Sequence, residues 1–393
     1  MTLFPKAAWE AHQGLRDLLA ALDADQGATR FVGGFVRDTL LGHETADIDC
    51  ATRLPPDTVI ERIRHAGFKA IPTGLAHGTV TALLPSGPVE ITTLRRDVST
   101  DGRRATIAYT DDWREDAARR DFTINALSAE PGNGTVHDYF GGLDDLAAGR
   151  VRFIGDPLAR IAEDHLRILR FFRFHARFGQ ADPDPAAADA CAARANDLMA
   201  LSRERIADEL IKLLGLPDPS ATIARMERLG IFQPVLPEID AHAPARLARL
   251  VQTEGAAGLP IDGLRRLSAL LPADPERAQA VGARLKLSNA ARKRLGLAVA
   301  PPAEDPRAMA YRIGREAAID RLLLAGQPDA AASLADWEIP RLPIGGGVLV
   351  AAGIKAGPDV ATLLRRIEDR WIEEGFPDRD RVDQILHDLM PGV

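Results

Sequence analysis

The chain has 393 residues, more than one hydrophobic core usually serves, so about two to four structural units are expected. Its net charge of −7 argues against a broad basic surface for non-specific nucleic-acid binding, although basic residues can still cluster locally. The two cysteines, Cys50 and Cys191, are too few for a disulfide framework or a zinc site and are expected to be buried thiols. No apolar run is long enough to cross a bilayer and no secretory signal opens the chain, so we expect a globular, cytoplasmic protein without a membrane partner.

The first 150 residues predict a mixed α/β domain. The predicted elements are a helix at 8–25, a strand at 29–32, a helix at 36–41, a strand at 47–51, a helix at 56–66, a strand at 69–72, and a hairpin formed by HGTVTALL and PVEITTL. The polar segment 95–115 predicts a mobile loop before a helix that begins near Glu115. Beyond about Arg150 helical periods take over. The predicted fold class is therefore α+β, a mixed-sheet domain followed by all-α units.

Asp47 and Asp49 form an Asp-x-Asp pair on the predicted strand 47–51. Side chains at i and i+2 of a strand share a face, so the two carboxylates can hold divalent metal together. Carboxylate oxygens with substrate phosphates are the ligands that Mg²⁺ prefers. The alternative is a pair of surface aspartates on an edge strand. If the metal interpretation holds, Cys50 points to the opposite face and does not interfere.

A third carboxylate is expected on a neighbouring strand. Glu90 is the first candidate, because Val89 and Ile91 point inward on its strand and leave Glu90 on the other face. Asp116 is the second candidate. The alternative interpretation of Glu90 is an ordinary solvent-facing strand glutamate.

Gly33 and Gly34 lie just ahead of a predicted helix. Glycine lets backbone amides approach a phosphate closely, and the helix N-terminus adds a favourable dipole. Arg37, one turn into the helix, can then reach a phosphate oxygen or the ribose. A Gly-Gly pair alone is usually only a turn. Its spacing from Asp47 and Asp49 favours a nucleotide site.

The segment RRDFTINAL, residues 119–127, places charged side chains before an apolar run that predicts a helix. Arg120 suits a triphosphate, because a guanidinium group binds phosphate oxygens bidentately. Asp121 is expected to cap the helix and orient the arginine, and Asn125 to bond to a sugar hydroxyl or a neighbouring loop. The alternative is an ordinary helix with a charged first turn.

Residues 159–179 predict one long amphipathic helix with an apolar face and a basic face. The basic face carries Arg160, Arg167, Arg170, Arg173 and Arg177. Basic charge is thus concentrated locally in an acidic chain. A solvated charged face is the usual alternative.

Asp164 and Arg167 stand one helical turn apart and offer an acceptor beside a fork of donors. Such a pair complements the edges of cytosine and adenine, whose exocyclic amino groups donate. Guanine and uracil present an oxygen at that position, which the carboxylate repels. The pair can therefore select C and A over G and U. A structural i,i+3 salt bridge is the alternative.

Taken together, these segments resemble the bacterial class II CCA-adding enzymes, tRNA nucleotidyltransferases related to the bacterial poly(A) polymerases. The matching stretches are VGGFVRDTLLG with DID, HGTV, VEITTLR, RRDFTINAL, GGLDDLAAGRVRFIGDP, EDHLRILRFFRF and LSRERIADELIKLL. They cover residues 30–215 nearly without interruption.

The resemblance implies a polymerase-β-like nucleotidyltransferase head at 1–150, a neck at 151–215 with a nucleobase-selecting helix, a helical body at 216–300, and a helical tail at 301–393 that binds the tRNA elbow. In that family the aspartates matching Asp47 and Asp49 bind Mg²⁺. The residues matching Gly34, Arg37, Arg120, Asp164, Arg167, Arg170 and Arg173 contact CTP or ATP. The segment 95–115 corresponds to a flexible loop used in the switch from C to A addition.

The sequence thus predicts template-independent addition of C, C and A to the 3′ end of tRNA from CTP and ATP, with Mg²⁺ as cofactor and pyrophosphate as product. The predicted catalytic residues are Asp47, Asp49 and Glu90. The predicted nucleotide-binding residues are Gly33, Gly34, Arg37, Arg120, Asp121, Asn125, Asp164, Arg167, Arg170 and Arg173. Two alternatives stay open: a poly(A) polymerase that uses ATP alone, and a catalytically silent RNA-binding relative. DNA is not an expected partner.

Overall fold

The computed structural model of the protein describes residues 2–43, 45, 47–100, 105–180, 182–302 and 305–390. The chain forms two compact units, one of residues 1–210 and 228–235, the other of residues 211–227 and 236–393. The first combines sheets with helices and the second is built from helices, which confirms the predicted α+β class. The predicted four-part division at 150, 215 and 300 stays a prediction.

The strands lie in the first 140 residues. They are β1 (Thr29–Val32), β2 (Ile48–Thr52), β3 (Lys69–Gly74), β4 (Thr79–Leu84), β5 (Gly87–Thr93), β6 (Arg95–Thr100), β7 (Ala105–Tyr109), β8 (Ser128–Ala129) and β9 (Val136–His137). The helices as far as residue 214 are α1 (Ala7–Glu10), α2 (Leu15–Ala21), α3 (Gly33–Leu40), α4 (Pro56–His65), α5 (Trp113–Ala118), α6 (Gly142–Ala147), α7 (Pro157–Glu163), α8 (Arg167–Phe178), α9 (Pro185–Ala193) and α10 (Arg203–Leu214).

A seven-stranded sheet with the order β3-β4-β5-β2-β1-β8-β9 forms the centre of the first unit. The pairing of β2 with β5 is parallel, and its other pairings are antiparallel. β4 and β5 form the predicted hairpin, with Val89 and Ile91 buried and Glu90 exposed. This alternation confirms the face assigned to Glu90.

Two predictions for the first unit are wrong. The helix expected at 8–25 is divided into α1, which ends at Glu10, and α2, which begins after Gly14 in a left-handed conformation (φ 87°) that a continuous helix does not allow. The segment 95–115 is not simply a loop: β6 and β7 pair as an antiparallel ribbon, and α5 follows from Trp113. The alternating ATIAY sequence supplies β-branched and aromatic residues that favour a strand. Residues 101–104 lie outside the described ranges.

Two predicted helices near the site also differ from the structure. The segment after Asp121 forms only a 3-10 turn (Thr123–Asn125) before β8. The helix expected at 159–179 is divided into α7 and α8, with Asp164 extended between them (φ −150°, ψ 107°). The Asp164 Oδ1 atom accepts the backbone N–H of Leu166 at 3.1 Å. Short aspartate side chains compete in this way with helical hydrogen bonds.

An aromatic cluster packs α8 against the segment that follows Arg120. The ring of Phe122 lies 5.0 Å from that of Phe153 and 5.2 Å from that of Phe174, between ring centroids. Phe153 and Phe171 stack at 5.6 Å. Burial of these rings fixes the position of the basic face of α8 relative to Arg120.

The remaining helices are α11 (Ser220–Arg228), α12 (Ala243–Ala257), α13 (Gly263–Leu270), α14 (Pro275–Arg284), α15 (Asn289–Ala298), α16 (Pro306–Ile313), α17 (Arg315–Leu324), α18 (Pro328–Ala332), α19 (Gly346–Ala351), α20 (Pro358–Glu373) and α21 (Arg379–Leu389). The C-terminal helices pack around Trp371, which is 1% exposed and donates from Nε1 to the carbonyl of Pro377 at 2.7 Å. Within the described ranges, no helix combines the length and the apolar character needed to cross a membrane.

Candidate active site

The carboxylates predicted to bind metal lie at one edge of the parallel pair β2–β5. Asp49 is on β2, half-buried, and stands in register with Glu90 on β5. Asp47 is exposed and precedes β2, which begins at Ile48, so the strand predicted at 47–51 starts one residue later. Cys50 is 1% exposed on the opposite face, as expected, and Cys191 is also a buried free thiol.

The electrostatics of this edge favour a cation. Burial raises the pKa of Asp49 to about 6, the negative charges of Glu90 and Asp47 act in the same direction, and Arg120 partly opposes them. Repelling carboxylates of this kind are suitable ligands for Mg²⁺, which also takes substrate phosphate oxygens. Among the described residues, no group of three or more potential ligands converges on one point. Asp47 and Asp49 would supply two carboxylates to such an ion, and a bound triphosphate would supply further oxygens.

The two glycines begin α3 beside this edge. Gly33 has a left-handed conformation (φ 65°), and a Cβ atom there would lie 3.0 Å from Nη1 of Arg120. A Cβ atom at Gly34 would lie 3.5 Å from Nη2 of Arg37. The absence of side chains therefore leaves both guanidinium groups next to an open backbone, which suits phosphate binding.

The predicted nucleotide-binding residues other than Arg173 line one cavity of about 410 Å³. It is lined by Gly33, Gly34, Arg37, Asp49, Arg120, Asp121, Asn125, Asp164, Arg167, Arg170 and Phe174. Asp47, Glu90 and Arg173 do not line it. Asp49 thus lies where the edge of the β2–β5 pair that carries the predicted metal ligands meets the basic face of α8.

Asp116, the second candidate for the third carboxylate, forms ion pairs with two arginines. It is 3% exposed and pairs with Arg119 at 2.8 Å and with Arg120 at 3.3 Å. Burial alone would raise its pKa, but the two arginines hold that pKa below the ordinary value. Asp116 therefore orients Arg120, while Glu90 is the carboxylate that faces Asp49.

Asp121 and Asn125 connect two arginines of the cavity. Asp121 pairs with Arg170 at 2.6 Å and accepts a hydrogen bond from the Asn125 amide at 2.9 Å. Asn125 in turn accepts from Arg37, whose Nε donates to Asp38 at 2.8 Å. Asp121 does not cap a helix, because only a 3-10 turn follows; it orients Arg170 instead.

Asp164 and Arg167 both reach the cavity, but each is held by a different partner. Arg205 on α10 donates from Nη2 to both oxygens of Asp164, at 2.8 and 3.1 Å. Arg167 pairs with Glu163 at 2.6 Å. Asp164 lies extended between α7 and α8, and the i,i+3 salt bridge considered as the alternative is replaced by these two pairs.

Arg173 points away from the cavity lining. Its Nε donates to Glu209 at 2.6 Å, and its guanidinium carbon lies 4.7 Å from the centroid of Phe174. Phe174 also lies within 5.2 Å of the guanidinium carbons of Arg37 and Arg170. Sequence reasoning missed Phe174 and Arg205. Phe174 carries a usable signal, because it stands between two arginines of the basic face.

Comparisons with known proteins identify the family of the chain. The model of the poly A polymerase head domain matches residues 29–152, and that of the probable RNA and SrmB-binding site of polymerase A matches residues 182–242. The Bacillus stearothermophilus CCA-adding enzyme in complex with CTP superposes with a TM-score of 0.70 at 24% identity, over 92% of this chain and 93% of that one. It shows that the two chains share a fold.

Two relatives are similar over nearly their whole length. The mitochondrial CCA tRNA nucleotidyltransferase 1 of Mus musculus is 33% identical over 395 residues, covering 95% of this chain and 89% of that protein. The CCA-adding enzyme of Limosilactobacillus fermentum is 31% identical over 384 residues, covering 91% and 92%. The chain therefore belongs to the family of CCA-adding enzymes, the CCA tRNA nucleotidyltransferases.

Proposed function

We propose that the protein adds C, C and A to the 3′ end of tRNA, using CTP and ATP and releasing pyrophosphate. The proposal is supported chiefly by one observation: Asp49, a predicted metal ligand, lines the same cavity as Arg120, Asp164 and Arg167. A triphosphate held along the glycine turn brings its α-phosphate to the carboxylates while its base lies at α8. The names of the relatives support tRNA as the acceptor.

The reaction is in-line attack of the tRNA 3′ hydroxyl on the α-phosphate. Asp47 and Asp49 would hold Mg²⁺, which, when bound, supplies positive charge at the attacking hydroxyl and the leaving pyrophosphate. Arg120 and the backbone amides of the glycine turn hold the triphosphate. Glu90 adds negative charge beside Asp49 and is the proposed third carboxylate. Positioning and charge neutralisation then supply most of the catalysis.

Selection of the nucleotide rests on Asp164 and Arg167. The carboxylate accepts from the exocyclic amino group of cytosine or adenine, and the guanidinium group donates to the neighbouring ring nitrogen or oxygen. Arg170 holds Asp121 and with it Asn125, so this network supports the cavity wall between base and triphosphate. Arg173 acts from outside the cavity, through its contact with Phe174.

The tRNA elbow would bind the predicted helical tail, residues 301–393, and the 3′ end would enter the cavity. A membrane and DNA have no part in this function. The cytoplasmic location stays a prediction, and the relative from Mus musculus is named mitochondrial.

The deciding experiment offers the protein a tRNA that lacks its terminal trinucleotide, with CTP, ATP or both, and sequences the product. Growth by C, C and A supports the proposal. A long adenylate tract made from ATP alone would point to a poly(A) polymerase instead. No growth with any mixture would point to a silent RNA-binding relative.

A further inference from the structure

The carboxylate of Asp164 is held by a residue outside the nucleotide cavity. Arg205, on α10, donates from Nη2 to Oδ2 at 2.8 Å and to Oδ1 at 3.1 Å. Arg205 does not line the cavity, whereas Asp164 does. The backbone alone does not determine the direction of the carboxylate, because Asp164 lies in the extended link between α7 and α8. Arg205 therefore sets the direction in which the carboxylate faces.

The hydrogen bonds already made by Asp164 limit what it can accept from a ligand. An ionised carboxylate has about four lone-pair sites. One is taken by the backbone N–H of Leu166 and two by Arg205, all within 3.1 Å. One acceptor site remains for the cavity. A single acceptor site facing the cavity can bind one exocyclic amino group. It cannot bind the carbonyl oxygen of uracil or guanine, because an ionised carboxylate has no proton to donate.

Arg167 is held independently of Arg205. Its Nη1 donates to Glu163 at 2.6 Å and to the carbonyl of Arg160 at 2.8 Å, and its Nη2 donates to the carbonyl of Arg119 at 3.1 Å. These contacts come from α7 and from the segment before Asp121, not from α10. A change at Arg205 therefore disturbs the carboxylate of Asp164 and leaves the guanidinium group of Arg167 in place.

The Arg205–Asp164 pair is expected to contribute little to the stability of the fold. The side chains are 33% and 32% exposed, and ion pairs at such exposure contribute little to stability. Both hydrogen bonds come from one nitrogen, Nη2, so both carboxylate oxygens of Asp164 are turned toward that atom.

We infer that Arg205 is a specificity-determining positioning residue, which aims one acceptor of Asp164 at the exocyclic amino group of cytosine or adenine. The inference rests on the proposed function, since it concerns the choice of nucleotide at the same site. It adds a residue of α10 to the selection, 41 positions from the carboxylate that it orients.

The test measures kcat/KM for CTP and for UTP on tRNA lacking the terminal trinucleotide, and for ATP and GTP on tRNA ending in CC. We expect Arg205→Ala to lower the C-to-U and A-to-G ratios by about ten- to a hundredfold, because a misdirected catalytic contact has an effect of that size. Arg205→Lys should fall between Ala and wild type, because lysine keeps the positive charge but not the planar guanidinium group. Asp164→Ala provides the reference values of the C-to-U and A-to-G ratios when the acceptor carboxylate is absent.

Arg62→Ala is the matched control. Arg62 forms an ion pair with Asp23 at similar side-chain exposure, 35% and 27%, and lies outside the cavity. It should keep both wild-type ratios. Each ratio compares two nucleotides in one preparation, so a partly unfolded variant does not change it. A merely structural role of Arg205 would lower all four rates together and leave the ratios unchanged.

Wild-type ratios in Arg205→Ala would overturn the inference while leaving the proposed function in place. The same would follow if Arg62→Ala lost selection as strongly as Arg205→Ala. Failure of the wild-type chain to add C or A would overturn the proposed function itself. The two failures are therefore distinguishable.

Discussion

Asp49 and Glu90 stand opposite each other on the parallel strands β2 and β5, two like charges brought together by sheet register. Burial of Asp49, with Glu90 and Asp47 nearby, raises its pKa to about 6. Arg120 only partly compensates for this charge. A bound cation would relieve this repulsion, so replacing either carboxylate should affect metal-dependent activity.

Replacing Asp49 with alanine is expected to lower CMP addition by about a thousandfold, because a proposed metal ligand that lines the cavity is lost. Single-turnover incorporation at saturating CTP measures the effect. Cys50→Ala, on the buried face of the same strand, should leave incorporation near the wild-type rate. Near-normal incorporation by the Asp49 variant would show that this carboxylate does not hold the metal.

Glu90→Gln separates the two candidates for the third carboxylate. We expect it to raise the Mg²⁺ concentration needed for half-maximal activity about tenfold, as for residues that support a metal site. Asp116→Asn should instead raise KM for the nucleotide, since Asp116 orients Arg119 and Arg120. The assignment is wrong if Asp116→Asn changes the Mg²⁺ requirement and Glu90→Gln does not.

Gly33 and Gly34 should respond differently to alanine. Gly33→Ala places a Cβ atom on a left-handed backbone and 3.0 Å from Arg120, so we expect a loss of about 1–2 kcal/mol in the free energy of unfolding and a raised KM for CTP. Gly34→Ala meets only an ordinary 3.5 Å contact and should unfold like the wild type. Urea denaturation and initial rates measure both effects. Equal stability of the two variants would contradict this account.

The ion pair of Asp121 and Arg170 should make stability depend on pH. Burial alone would raise the pKa of Asp121, but Arg170 and the amide of Asn125 lower it below the ordinary value. A carboxylate with a depressed pKa contributes stability above its unfolded pKa and loses that contribution as the pH falls through the folded one. We expect Asp121→Asn to cost about 2 kcal/mol at pH 7, and the gap to the wild type to shrink below about pH 4.

Urea denaturation at pH 7, 5 and 3 measures that gap. Asp57→Asn, an exposed replacement on α4, should change stability by less than about 0.5 kcal/mol at each pH. A gap between Asp121→Asn and the wild type that stays constant down to pH 3 would show that the ionised pair is not its source.

The second unit contains a buried ion network whose loss should unfold it. Glu254, with a side chain 3% exposed, accepts from Arg265 at 2.9 Å and from Arg266 at 2.8 Å. Glu254→Gln removes the carboxylate paired with the buried Arg266 and leaves Arg265 with Asp320 alone, so it is expected to cost about 3–5 kcal/mol in the free energy of unfolding. Glu316→Gln removes a 78% exposed partner of Arg294 and should cost less than about 0.5 kcal/mol. Similar losses in the two variants would contradict the role of burial.

Features set by local sequence were predicted well. The strand 29–32, the hairpin and the exposed face of Glu90 follow from side-chain alternation and turn residues, which act over a few positions. The helix at 159–179 was predicted wrongly because its amphipathic period continues through Asp164, whose side chain bonds to the backbone of Leu166 and ends α7. The ribbon β6–β7 was missed because its polar residues resemble those of a loop.

By itself the sequence determined the chemistry of this protein: an Asp-x-Asp pair, a glycine turn and a basic face, each carried by residues close together in the chain. Only the tertiary structure decided the partners. Strand register places Asp49 beside Glu90. Packing of the helices brings Asp164 to Arg205, Arg167 to Glu163 and Arg173 to Glu209 as ion pairs. The physical reason is that side-chain type is a local property, whereas an ion pair between distant residues depends on the packing that brings their elements together.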